Sequence, residues 1–408
     1  MASANYTDLL NKALADIGDA VAVADVTGEF YSGHALRQRI EGIASLLRAS
    51  GLERGDGLAQ LASNCVDAFA VMAACLRAGV RYTPLHPLGS LDQQRFVVND
   101  SQAKLLVIDS AAFAEWGARL ADAFPKLAVI TLSRANFGEY LGDLLVDRPW
   151  LDDQQNSEDI AWVSYTGGTT GDPKGVMHTQ RGMGATAEIA RAAWQFPEQP
   201  HFLACSPISH AAGFLVLPVL MLGGRVSLLP RFSPEPVIRC IENQGVNTLF
   251  LVPSMIYGLL DHPGVGQRDL SNLEHIIYAS APIAPERLRE ALHLFGPILH
   301  QCYGQTESIH ITCMTHKEHN PSVSRRLESV GRATLGMTVS VVDARGSALP
   351  LKEVGEICVK GPSLLAGYWQ RPEASAEALQ SGWLHTGDVG FMDEEGFLFI
   401  VDRLKDMI

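Results

Sequence analysis

From Tyr165 to Val176 the sequence reads YTGGTTGDPKGV, directly after an apolar run, Ile160 to Val163, of strand character. Gly167, Gly168 and Gly171 allow backbone N–H groups to turn toward one point, while the hydroxyls of Thr166, Thr169 and Thr170 and the ammonium of Lys174 add further donors. Such a set suits phosphate oxygens, and it predicts a loop that cradles a polyanion. A plain surface turn would explain the glycines and threonines but not Pro173 followed by Lys174. A Walker loop needs glycine before the lysine and Ser or Thr after it, whereas Pro173 and Gly175 stand there. No GxGxxG opens a helix nearby, which disfavours a dinucleotide fold.

Outward from this loop the chain alternates. Before it, helical spacing from Leu36 to Leu47, an apolar stretch from Leu58 to Leu61, a helix from about Asp67 to Ala78 closed by Gly79, and strands at Tyr82 to Pro84, Leu105 to Ile108 and Ala128 to Leu132 are expected. The stretch from Ser133 to Asp159 is the least patterned and reads as a surface connection. After the loop a second set follows: helices at Arg181 to Trp194, near Glu235 to Asn243, from Pro253 and from Pro285 to Phe295, with strands at Phe202 to Ser206, Arg225 to Leu229, Thr248 to Val252 and His275 to Ala279. Beyond about Arg325 short β-branched segments such as Thr338 to Val342 and Glu356 to Lys360 take over. The expected class is α/β, with two mainly parallel sheets flanked by helices (about 1–180 and 181–324) and a small distorted β-barrel subdomain over 325–400.

The 408 residues suffice for more than one core, and 47% hydrophobic with 19% charged residues is an ordinary globular composition. With 32 Lys and Arg against 45 Asp and Glu, the formal charge of −13 argues against nucleic acid or an anionic membrane as partner. Seven cysteines without a CxxC pair fit a reducing cytoplasm better than a disulfide framework or zinc ribbon. The start, MASANYTDLL, has no secretory pattern, and the apolar run Phe214 to Leu222 is too short for a bilayer and should be buried in protein. His293, His300, Cys302, His310, Cys313, His316 and His319 match no zinc spacing.

Four further motifs follow in order: YGQTE (Tyr303 to Glu307), GEICVKGP (Gly355 to Pro362), GWLHTGD (Gly382 to Asp388) and VDRLKD (Val401 to Asp406). Together with the threonine- and glycine-rich loop, this ordered set resembles the AMP-forming adenylating enzymes, which include acyl-CoA and aryl-CoA ligases, peptide-synthetase adenylation domains and luciferases. The resemblance covers most of the chain and implies the large N-terminal domain of that fold, spanning 1–402.

It also implies site roles. Thr166, Gly167, Gly168, Thr169, Thr170 and Lys174 would hold the β and γ phosphates of ATP, Tyr303 and Gly304 would lie by adenine, Thr306 would contact the α-phosphate, and Glu307 would ligate Mg²⁺. Catalysis would thus rest on Thr166, Lys174, Thr306 and Glu307. Ser280, Ala281 and Pro282 resemble the adenine-binding turn, with SAP where a glycine-rich variant is frequent. Asp388 would take the ribose hydroxyls, and Arg403 would help hold them. For the acid pocket the candidates are His210, Gly213, Ser254, Ser280, Gln301, Cys302, Gly304 and His310. Between Ser206 and Val216 no Asp or Glu occurs, so an ammonium-bearing amino acid is disfavoured and an apolar fatty or aryl acid is expected.

Lys405 matches the family's hinge, with 403–408 its remnant, and the smaller C-terminal domain that would supply a catalytic lysine and part of the CoA site is expected to be absent. The expected function is that of an ATP-dependent carboxylic acid:CoA ligase using ATP, Mg²⁺ and, in a full-length parent, coenzyme A. A carrier-protein acyl-AMP ligase and a non-catalytic acyl-adenylate or nucleotide-binding module are the alternatives. The identity of the acid and the oligomeric state are left open.

Overall fold

The computed structural model describes residues 4–26, 28–145, 156–166, 173–320, 322–323 and 325–404. The chain forms two units: Met1–Ala187 with Ala204–Arg231 and Tyr368–Gln370, and Glu188–Leu203 with Phe232–Gly367 and Arg371–Ile408.

In the first unit a sheet runs in the order Lys174–Thr179, Ile160–Thr166, Arg81–Pro84, Gly57–Leu61, Ala103–Ile108, Ala128–Thr131, Glu139–Tyr140. The pairs among these seven strands are parallel except the first, which is antiparallel. Helix Val66–Arg77, buried along most of its length, returns the chain from one of these strands to the next. Its end shows why the turn is tight. The N–H of Val80 reaches the carbonyl of Cys75 and that of Gly79 the carbonyl of Leu76, with Gly79 at φ +64°, a left-handed position open to glycine at no steric cost. Trp162 from the sheet stacks on Phe214 with ring centroids 5.2 Å apart, and Tyr82 meets Trp162 edge-on at 5.0 Å.

Phe214 belongs to the helix Gly213–Met221, which is apolar all round and contains Pro218. The sequence marks this stretch as a buried run, and burial is what is found. Its helicity escaped the reading because an all-apolar helix has no polar face to set a period. The unpatterned stretch after Ser133 holds the short strand Glu139–Tyr140 and the helix Leu141–Leu144, while 146–155 lie outside the described residues. The opening helix Tyr6–Ile17, capped by Asn5, and the strand Val21–Asp25 were likewise not anticipated.

In a further sheet His201–Ala204, Thr248–Leu251, His275–Tyr278 and Leu299–Gln305 run parallel, before Ser308–Met314 and Arg332–Ala333 turn antiparallel. Helix Pro285–Phe295 has the bounds its sequence signals predict, with Pro at its first position and Gly296 beyond its last. A further antiparallel sheet joins Thr338–Val342, Gly355–Lys360, Trp383–Met392 and Leu398–Arg403. Two parallel-rich sheets and a half-barrel sheet are thus present, the architecture expected from the alternation of elements. Among the described residues no helix is long and apolar enough to cross a membrane.

One buried side chain in the first unit organises several backbone segments. The amide nitrogen of Asn64 donates to the carbonyls of Ala204, Ser206 and Leu229 at 3.0, 2.8 and 3.0 Å, and its oxygen accepts from the N–H of Ile208 at 2.9 Å. Asn64 is 3% exposed, so its loss leaves buried backbone groups without their partner. Asn64→Ala is expected to lower stability by about 2–4 kcal/mol, and Asn64→Asp by more, because it sets a carboxylate against three carbonyl oxygens. Urea denaturation of the two variants checks the order. Equal stability of wild type and Asn64→Ala would contradict the clamp.

Candidate active site

The segment expected to cradle a polyanion lies between two strands that pair antiparallel. Strand Ile160–Thr166 continues beyond the apolar run to include Tyr165 and Thr166, and Lys174 opens the antiparallel strand Lys174–Thr179 with Thr166 as its Cα partner. The sequence reading of one loop from Tyr165 to Val176 is corrected to this extent. Glycine richness at 167–171 hides where strand pairing resumes. Gly167, Gly168, Thr169 and Thr170 lie outside the described residues, as does Lys405.

The strands flanking this segment are braced within the first unit. Tyr165 Oη donates to Asp100 Oδ2 at 2.7 Å, Trp369 N donates to the carbonyl of Gly175 at 2.7 Å, and the Trp369 indole N–H donates to the carbonyl of Asp100 at 2.8 Å. The Arg81 guanidinium lies 3.8 Å above the Trp369 ring. Lys174 is exposed, its ammonium 5.2 Å from the Tyr368 ring centroid.

YGQTE forms a hairpin tip. Tyr303, Gly304 and Gln305 end the strand Leu299–Gln305, Thr306 and Glu307 make the turn, half-buried, and Ser308 begins the return strand. The register shifts between Tyr303 and Gln305, and at Gly304 a Cβ would lie 1.9 Å from the carbonyl oxygen of Ile309. Any side chain there would force the hairpin open. The carbonyl of Glu307 accepts from the N–H of Leu365 at 2.8 Å.

Another hairpin, Trp383–Met392 with Leu398–Arg403, carries Asp388 opposite Arg403 as Cα partners. Asp388 is 4% exposed. Its Oδ2 accepts from Tyr303 Oη at 2.6 Å and from Gln305 Nε2 at 2.6 Å, and its Oδ1 lies 2.9 Å from Arg403 Nε. Thr386 Oγ1 accepts the Asp388 N–H, and the Thr386 carbonyl accepts Gln305 Nε2 at 2.9 Å. Burial, with the Asp388 charge second, raises the Tyr303 phenol well above its usual range, so it stays a donor. YGQTE and HTGD are therefore one constellation. Gln305 was missed, although alternate residues of a strand share a face and Tyr303 had already been singled out.

Ser280, Ala281 and Pro282 form an exposed turn after the strand His275–Tyr278, and Ser280 has φ +76°. A serine here holds the left-handed conformation that glycine adopts freely, which gives the SAP variant a physical cost. The pocket candidates divide between the units. His210 and Gly213 belong to the first, where Ser209 Oγ lies 2.9 Å from His210 Nδ1 and the unanticipated His86 meets His210 edge-on at 4.7 Å. Burial, with His86 second, lowers His210 to about 4.

Ser254, Gln301, Cys302 and His310 belong to the second unit. Ser254 is exposed on the helix Pro253–Leu260, Tyr278 Oη donates to Gln301 Oε1 at 3.1 Å, and Cys302 Sγ lies 3.5 Å from His310 Nδ1. Around them the histidines pack as rings: His275 on His300 at 4.1 Å, His300 on His316 at 5.0 Å, and His319 against Tyr278, whose Oη is 2.9 Å from His319 Nε2. Burial lowers His275 and His319 to about 4, His310 to about 3 and His300 to about 2. These rings are neutral and apolar in effect.

In the second unit a buried carboxylate beside an arginine, with a phenol and an amide donating to it, joins the YGQTE and HTGD motifs. The family model described as AMP-binding enzyme matches residues 10–369, and the chain belongs to that family, whose adenylate-forming members use ATP. The medium/long-chain-fatty-acid–CoA ligase FadD8 of Mycobacterium tuberculosis is 38% identical over 389 residues, covering 92% of this chain and 67% of that protein. A feruloyl-CoA synthase of Amycolatopsis sp is 33% identical over 375 residues, covering 91% and 73%. Among solved structures, the amide bond synthetase McbA from Marinactinospora thermotolerans superposes with a TM-score of 0.90 at 33% identity, over 99% of this chain and 80% of that one. The relatives are fatty-acid and aryl acid:CoA ligases, in agreement with the acid:CoA ligase class expected from the motifs.

The buried histidines yield a pH prediction. Their folded-state values lie below the ordinary 6.5, so the unfolded chain binds more protons between about 6.5 and 4. Their contribution to stability is full above pH 6.5 and is lost as pH falls, by about 2 kcal/mol per such histidine at pH 5. Urea midpoints from pH 7.5 to 5 should fall steeply, and His300→Phe should flatten the fall. A midpoint constant over that range would contradict the neutral burial.

Proposed function

We propose that this chain activates a carboxylic acid with an apolar body as its acyl adenylate and that the activated acyl group passes to coenzyme A. The observation that carries the reading is Asp388, a buried carboxylate that ties the YGQ and TGD motifs together beside Arg403. A ribose diol offers two donors where the exposed Arg403 now supplies one, so the residues fit a nucleoside once that side chain swings aside.

In this reading Thr166, Thr169, Thr170 and Lys174 steady the β and γ phosphates while the acid's carboxylate oxygen attacks the α-phosphorus and the bond to pyrophosphate breaks. Thr306 contacts the α-phosphate, and Ser280 to Pro282 with Tyr303 and Gly304 flank adenine. Glu307, a hard oxygen donor at the hairpin turn, would hold Mg²⁺, which neutralises phosphate charge when bound. The acid's body meets His210, Gly213, Ser254, Gln301, Cys302 and His310.

No Asp or Glu occurs from Ser206 to Val216, and the titratable rings of the candidate pocket, His210 and His310, are neutral. An ammonium buried there would lose several kcal/mol of hydration without a counter-charge. FadD8 and the feruloyl-CoA synthase support fatty and aryl acids alike. The likeness to McbA favours a second reading for the later step, in which an amine captures the same adenylate. Seven cysteines, none of them in a disulfide, suit a reducing cytoplasm.

Acyl-sulfamoyl adenosines with apolar acyl groups should raise the melting temperature, by about 2.7 kcal/mol of stability at a hundredfold excess over Kd. Aminoacyl analogues should do so much less. Glu307→Gln and Asp388→Ala should both weaken ATP binding, with added Mg²⁺ partly rescuing only the first. An absence of any shift with all mimics would sink the nucleotide reading, and preference for an aminoacyl mimic would sink the apolar acid. Supplying CoA and a primary amine to a preformed adenylate, then resolving thioester from amide by mass spectrometry, separates the two acceptors.

A further inference from the structure

GEICVKGP and HTGD each contain residues that the nucleotide reading leaves unused. Glu356 and Cys358 lie two apart on the strand Gly355–Lys360, hence on one face, and Cys358 is the Cα partner of His385 on the strand Trp383–Met392. His385 Nδ1 stands 2.8 Å from Glu356 Oε2 and 3.5 Å from Cys358 Sγ. The three ligand atoms lie within 4.8 Å of one another, and this is the only such convergence of His, Cys, Asp and Glu among the described residues. All three line a cavity of about 1210 Å³, whose wall also includes Trp383, Val389 and Leu404.

We propose that Glu356, Cys358 and His385 are the ligands of a zinc site, with a fourth position open to the cavity. One sulfur, one imidazole nitrogen and one carboxylate oxygen are donors that zinc accepts together, whereas Mg²⁺ and Ca²⁺ prefer oxygen alone. With Zn–S of about 2.3 Å and Zn–N of about 2.0 Å, tetrahedral geometry sets sulfur and nitrogen about 3.5 Å apart, the separation already present. The carboxylate oxygen must retreat from the imidazole by only about 0.5 Å to complete the array. The other oxygen of Glu356, Oε1, accepts from the N–H of Gly387 at 3.2 Å, which leaves Oε2 as the oxygen facing the imidazole. That second contact orients the carboxylate as outer-shell bonds commonly do for zinc ligands, and it links the site to the backbone next to Asp388. On binding, the Cys358 thiol gives up its proton to the buffer and the thiolate takes the metal.

The test uses the whole chain, stripped with chelator and titrated with Co²⁺ and then Zn²⁺. One equivalent of Co²⁺ should produce a thiolate-to-cobalt charge-transfer band, which Zn²⁺ abolishes and millimolar Mg²⁺ leaves intact. Cys358→Ser should lose the band, Glu356→Gln should weaken binding roughly tenfold or more, and Cys302→Ser should retain both band and affinity. Should Cys358→Ser not fold, the band in the unaltered protein and its weakening in Glu356→Gln decide the matter. The absence of a band in the unaltered chain, its persistence in folded Cys358→Ser, or equal affinity in Glu356→Gln would overturn the site and leave a hydrogen-bonded brace.

Discussion

A carboxylate withdrawn from water is the constraint around which the second unit is arranged. Asp388 is almost fully buried, and an ionised group in that position needs donors on every side. Tyr303 and Gln305 supply two from one hairpin, while Arg403 supplies a third from the strand paired with Asp388's own. For Tyr303 and Gln305 to reach one oxygen, the strand between them must shift register, and Gly304 is the residue that lets the neighbouring carbonyl of Ile309 approach.

The first unit uses the same device with different chemistry. Thr166 and Lys174 face each other across an antiparallel pair, whose support comes from Tyr165, Trp369, Asp100 and Arg81. Strands held by ladders on both sides fix the two ends of a glycine-rich segment more firmly than a free loop could. Asn64 does a related service for the segment that carries Ser209 and His210, binding its backbone from a distant part of the chain.

Elements with strong periods or sharp punctuation were legible: Pro285–Phe295, Thr338–Val342 and Gly355–Lys360 emerge within a residue of expectation because proline, glycine and β-branched alternation mark them locally. The two-sheet architecture followed from the alternation of such elements, and membership of the adenylate-forming class followed from motif order. What could not be read is non-local. Nothing near Asn64 announces partners some 140 to 165 residues away. Likewise the ring contacts of His275, His300 and His316 depend on three separate elements, so their proximity had no spacing to betray it. The exposed Ser280 at positive φ was visible only as an unusual letter in a turn.

None of the seven cysteines is in a disulfide; six are buried and Cys65 is intermediate. Burial raises the Cys65 thiol to about 12, so even that sulfur is a poor nucleophile while the chain is folded. Cys65, Cys75 and Cys205 fall in the first unit, and Cys240, Cys302, Cys313 and Cys358 in the second. The chain therefore carries a built-in record of its own opening. A brief pulse of alkylating reagent during unfolding marks whichever unit has loosened, and peptide masses read afterwards tell which half gave way first, without any label being introduced.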